Sequence, residues 1–122
     1  MTENFKQFDL EDRTFTFAKE VREFVRLLPK TSSNLEDGKQ LIRSSGSVGA
    51  NYIEANESFS KKEFIMRIKI SRKEAKESNF WLKLIYIDND KLLEEKRQKL
   101  CKESLELMNI FGAIIRKSEA KV

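Results

Sequence analysis

RSSGSVGANYIEANESFSKKEFIMRIKISRKEAKESNFWLKL, residues 43–84, carries two helical hydrophobic patterns that meet at a marked junction. Ser60 followed by Glu63 has the spacing of a capping box, in which each side chain satisfies an orphan backbone donor at a helix start. Phe59 and Phe64 occupy the flanking staple positions. One helix is therefore expected to end near Ser58 and another to begin at Lys61. The stretch holds almost no side chains suited to catalysis, so it speaks more of architecture than of activity.

Outward from that junction, periodicity predicts four helices. Upstream, Leu10, Phe17, Val21, Phe24 and Leu28 recur at three and four, with Ala18 and Val25 widening the face, and Pro29 stops the run because proline cannot continue the backbone bonding. This gives a first helix over residues 9–28. The loop-like TSSNLEDG follows, and Ser33 with Glu36 forms a second candidate capping box that starts a helix over 34–58. Its inner face is expected to carry Leu41, Ser45, Val48, Gly49, Tyr52 and Asn56. The third helix is predicted over 61–87, with a core stripe of Phe64, Ile68, Ala75, Leu82 and Ile85, and Asp88, Asn89 and Asp90 break it. The fourth is predicted over 91–117. Leu93, Leu100, Leu107, Phe111 and Ile114 form one stripe and Cys101, Leu105, Met108 and Ile115 the next, together about half the cylinder.

Composition agrees with that reading. A chain of 122 residues suits one domain over residues 1–122, and 36% charged with 39% apolar residues fits amphipathic helices. Four Gly and one Pro leave few turn positions. Short connections between long helices favour an all-α, antiparallel up-down-up-down four-helix bundle. MTENFKQFDLED holds no apolar secretion run, no later run reaches the length of a membrane span, and a single cysteine forms no internal disulfide, so the chain reads as cytoplasmic. Lys plus Arg exceeds Asp plus Glu by 24 to 20, a net charge of +4 that leans toward polyanionic partners.

Two features point to a homo-oligomer. Gly46, Ser47 and Ala50 project away from the Leu41, Val48 and Tyr52 stripe, placing small residues where a solvated helix usually carries Lys or Glu. Glycine costs about 1 kcal/mol relative to alanine inside a helix. Gly49 is expected to let the helix approach its own core, and Gly46 to let a neighbouring subunit approach, against the blander reading that Gly46 only kinks a surface helix. Arg43 and Glu54 share this outer side but lie roughly 16 Å apart along the axis, too far to pair within one helix yet free to pair between subunits. On the third helix Met66, Ile70, Trp81 and Leu84 form an apolar flank separate from the core stripe, the mark of an interaction surface.

These residues resemble a known family, the bacterial four-helix bundle proteins first noticed as reading frames inside intervening sequences of large-subunit ribosomal RNA genes. The resemblance rests on Arg43 and Ser44, then Ser47, Gly49, Ala50 and Asn51, then Glu54. It continues through SKKEFIMRIKISRKEAKES, WLKLI and IFGAIIRKS. What it implies is an antiparallel four-helix bundle assembled as a homopentameric ring, with no established enzymatic activity. A similar fold occurs in the accessory protein of diversity-generating retroelements, to which binding of nucleic acid and a reverse transcriptase is ascribed; that link is one of fold, and fold alone does not give function.

The residues themselves offer one surface for nucleic acid. Lys62, Lys69, Lys73, Lys76 and Lys83 fall on one side of the third helix, opposite its core stripe, with Phe80 among them. Ammonium groups neutralise successive phosphates and an exposed ring stacks on a base, the combination used in sequence-tolerant single-strand binding. The plain alternative is a solvated helix face, with Phe80 in a subunit contact.

Enzyme readings find little support. Glu54 with Glu57 and Glu74 with Glu77 have a spacing that is commonplace on charged helices, and Glu74 and Glu77 fit better as the polar rim of an assembly surface. GSVG lacks the preceding strand and the Lys-Ser/Thr pair of a phosphate loop. Cys101 lies on an apolar stripe, and a chain with no histidine offers it no imidazole base. The expectation is therefore a chain that is not an enzyme, with no catalytic residue, metal site, cofactor or small-molecule substrate. Two function classes remain: a non-catalytic oligomeric RNA- or DNA-binding accessory protein, and a protein-assembly scaffold without a nucleic-acid role.

Overall fold

The computed structural model describes residues 2–120, with side chains from residue 9 onward, and among these it is all-helical with no strand. The expectation drawn from MTENFKQF falls on side chains outside the described ones. Four helices follow one another: α1 (Thr2–Arg26), α2 (Ser32–Asn56), α3 (Lys61–Leu84) and α4 (Lys91–Glu119). They form a four-helix bundle around one buried cluster that includes Phe17, Val21, Phe24, Leu41, Val48, Ile68, Leu82, Leu107 and Phe111. Tyr52 and Phe111 meet in it with ring centroids 5.9 Å apart. Among the described residues no helix is long and apolar enough to cross a membrane.

The α3 start follows the capping-box spacing. Ser60 Oγ accepts from the Glu63 amide at 3.1 Å, while the Glu63 carboxylate accepts from Phe59 N at 3.4 Å, one residue before the usual partner. The staple does not form, because Phe59 is fully exposed. The tight reversal between Asn56 and Lys61 turns its ring outward.

The second predicted capping box is corrected. The N-cap of α2 is Thr31, whose Oγ1 accepts from Asn34 N at 3.1 Å, so Ser33 already lies inside the helix. Asn34 spends its side chain elsewhere. Its Nδ2 donates to Pro29 O and Tyr86 O, and its Oδ1 accepts from Tyr86 N.

That clasp also bears on why α3 stops at Leu84, short of the predicted residue 87. Ile85 is extended at φ −58° and ψ 133°, and Ile85 and Ile87 are both buried while Tyr86 between them is exposed. Alternate burial needs a two-residue period, which a helix cannot supply. Arg97 of α4 closes the helix end by donating to Leu82 O and Ile85 O. Asp88 and Asn89 then take positive φ, 53° and 59°, and Asp90 caps α4. On α4, Leu105 points outward and Ser104 lies inside, narrowing the predicted apolar face.

Candidate nucleic-acid interface

The RSSGSVGANYIEA segment is consumed largely by contacts within the chain. Serine hydroxyls let α2 and α3 approach closely: Ser44, Ser71 and Ser78 are fully buried, Ser44 Oγ and Ser78 Oγ share a bond at 2.9 Å, and Ser71 Oγ donates to Val48 O. Beyond them Asn51 takes a bond from Arg67 through Oδ1 and donates through Nδ2 to Ser47. Arg43 donates to Glu74 and Glu77 of α3, each at 3.3 Å. The bond to Glu74, opposed in part by desolvation, raises the Arg43 pKa. Arg43 is thus already paired within its own chain, where α3 supplies two carboxylates. The same pairing occupies Glu74, only 6% exposed, as an internal partner of Arg43 instead of an outer rim.

The α2 glycines face α1. A Cβ at Gly49 would stand 2.8 Å from Thr14 Oγ1, and one at Gly38 would stand 3.3 Å from Val25 Cγ1. Gly46 also meets its own chain, with Arg22 Nη2 3.3 Å from where its Cβ would be. It is half-buried under that guanidinium, and Ser47 is half-buried beside Asn51, which leaves Arg43, Ala50 and Glu54 as the exposed members of the outer α2 group.

All five predicted lysines, Lys62, Lys69, Lys73, Lys76 and Lys83, are exposed on the side of α3 away from the core. Lys69 reaches Glu119 at 3.3 Å; among the described residues the other four have no carboxylate within pairing distance. Phe80 is 57% exposed and packs edge-on against Trp81, centroids 5.1 Å apart, so its ring is tied to the apolar flank as well as to the lysines. Met66 and Leu84 are about half exposed. Trp81 is partly covered and its buried Nε1 has no hydrogen-bond partner.

Sequence reasoning treated the lysines and the apolar flank as separate surfaces, and the structure makes them neighbours. Lys62, Lys69 and Lys73 line an open trough of about 790 Å³ together with Ile65, Met66 and Ile70. Cations border an apolar floor there, with Glu119 at its edge. Cys101 is buried among α3 and α4 residues, and that burial pushes its thiol pKa up, away from the nucleophilic thiolate. A basic crevice formed by Arg72, Gly112 and Arg116 was missed, because one-helix periodicity does not reveal which α3 turn lies beside which α4 turn.

Comparison with known proteins adds two similarities. A family model described as 23S rRNA-intervening sequence protein matches residues 6–113. A crystal structure of a protein with unknown function from the S23 ribosomal protein family of Bacteroides thetaiotaomicron aligns at a TM-score of 0.78 and 29% identity, over 91% of this chain and 98% of that one. No curated protein matches.

Proposed function

The chain belongs to the 23S rRNA-intervening sequence protein family, and from that premise we propose that it is a non-catalytic, homo-oligomeric nucleic-acid-binding accessory protein of the cytoplasm. It binds RNA or DNA through the outer face of α3, by phosphate neutralisation and without base readout. One observation carries the reading: five lysines stand exposed along a single side of α3, and four of them have no carboxylate partner among the described residues. Cations spaced along one rod match the successive charges of a strand.

The bundle itself is antiparallel, up-down-up-down. In support, Thr14 lies by Gly49 while Val25 lies by Gly38, Arg67 lies by Asn51 while Glu74 lies by Arg43, and Arg72 lies by Gly112 while Asn79 lies by Ser104. Copies of it associate through Met66, Ile70, Trp81 and Leu84 into the pentameric ring that the family resemblance implies.

An electrophoretic shift assay with single-stranded RNA over a salt series tests the binding. The wild type retards the strand at low salt, and a Lys69→Glu, Lys73→Glu, Lys76→Glu variant that keeps its helical circular dichroism does so only at much higher protein concentration. Equal retardation by that variant ends the reading. The scaffold alternative has one observation in its favour, the edge-on contact that draws Phe80 toward Trp81 and the apolar flank. It predicts an assembled particle that ignores nucleic acid at every salt concentration.

A further inference from the structure

Gly112 of α4 is buried, and a Cβ there would stand 3.4 Å from both Arg72 Nε of α3 and Arg116 Nη1 of α4. Two guanidinium groups from different helices therefore converge on one bare stretch of backbone. Arg13 is answered by Glu103 and Glu106, Arg43 by Glu74 and Glu77, and Arg97 by Glu94, while Arg22 and Arg67 bond to neutral oxygens of Ala18 and Asn51. Among the described residues no carboxylate pairs with Arg72 or Arg116. Lys69, paired to Glu119, closes a third side, and the crevice has a volume of about 390 Å³. A cation in the last turn of α4 is favoured by the helix dipole, which accounts for Arg116 but not for Arg72 reaching over to it.

We propose that this crevice is a phosphate-binding site in which Arg72 and Arg116 grip one phosphate group from two helices. Like charges drawn together without a counter-charge repel, and an anion between them reverses the sign of that interaction. Guanidinium forks match phosphate oxygens in pairs, with a directionality that an ammonium group lacks. Gly112 suits the site by its lack of a side chain, which would otherwise occupy the floor between the two forks. The ligand is either a phosphodiester of a nucleic-acid strand or a free phosphate ion. Only the first of these rests on the reading of α3 as a nucleic-acid face.

Titration of the full chain with inorganic phosphate at constant ionic strength, followed through the arginine Nε–Hε resonances, tests the site. Arg72 and Arg116 shift together and saturably, while the exposed Arg26 of α1 moves little. Arg72→Gln with Arg116→Gln raises the phosphate concentration at half-saturation about tenfold or more, as loss of charge-assisted contacts requires, read through the protein's thermal shift. The same titration with a single-stranded oligonucleotide lacking terminal phosphates separates the sources. A shift of both arginines by the oligonucleotide identifies the phosphodiester, and a shift by phosphate alone identifies the free ion. Uniform, non-saturating movement of all exposed arginines with phosphate and oligonucleotide alike overturns the site. That failure is distinct from loss of strand binding in a Lys73→Glu, Lys76→Glu variant, since neither lysine lines the crevice.

Discussion

At Asn34 one carboxamide ties three segments together: the Pro29 carbonyl before α2, the α2 N-terminus itself, and the backbone of Tyr86 after α3. Asn34→Ala leaves the Tyr86 amide and two carbonyls without that partner, and we expect it to lower the unfolding free energy by about 2–4 kcal/mol in urea titrations. A loss within experimental error would show that water replaces the clasp. Glu94 gives a second test through pH. Its carboxyl pKa is held below the ordinary value of 4.5, first by the hydrogen bond from Gln98 and then by Arg97, the residue that closes the end of α3. A lowered folded-state pKa stabilises the fold above the ordinary value, and that contribution disappears as pH falls through the folded value. Glu94→Gln is therefore expected to flatten the fall in urea midpoint as pH drops below about 5, and an unchanged acid limb contradicts the assignment.

Among the helices, the glycines of α2 separate two kinds of close approach. Gly49→Ala would push a methyl to 2.8 Å from Thr14 Oγ1 in a tightly packed α1–α2 contact, and we expect it to cost about 1–3 kcal/mol. Gly46→Ala meets only the far end of the flexible Arg22 side chain, so the gain in helix propensity dominates and the variant is expected to be up to about 1 kcal/mol more stable. Chemical denaturation of the two variants checks the opposite signs. Much of this scale was legible in the sequence. Ser60 with Glu63 and the Asp88–Asp90 break marked helix limits through local chemistry, whereas Ser33 was mistaken for the cap because Thr31 and Ser33 have the same capping chemistry. The early end of α3 depends on Asn34, more than fifty positions upstream, and no local pattern contains that partnership.

For the whole molecule, the sequence conveyed which residues face outward better than what they face. The lysine side of α3 and the apolar flank follow from a period of 3.6 residues and stand exposed or partly exposed, yet Arg43 and Gly46 were assigned to a neighbouring copy when Glu74, Glu77 and Arg22 of the same chain lie against them. Periodicity gives a direction from one helix axis; the register between helices decides who is met there. If the flank of Met66, Ile70, Trp81 and Leu84 joins copies, Met66→Glu with Ile70→Glu is expected to reduce the particle to monomers in sedimentation velocity while the helical circular dichroism is retained. A wild-type monomer at micromolar concentration would remove the ring. The most direct test of the polyanion-binding account is the slope of log association constant against log salt for single-stranded RNA. Charge reversal at Lys69, Lys73 and Lys76 should make that slope shallower by about 2, since each neutralised phosphate contributes about 0.7. A slope shared by the wild type and the variant would contradict the account.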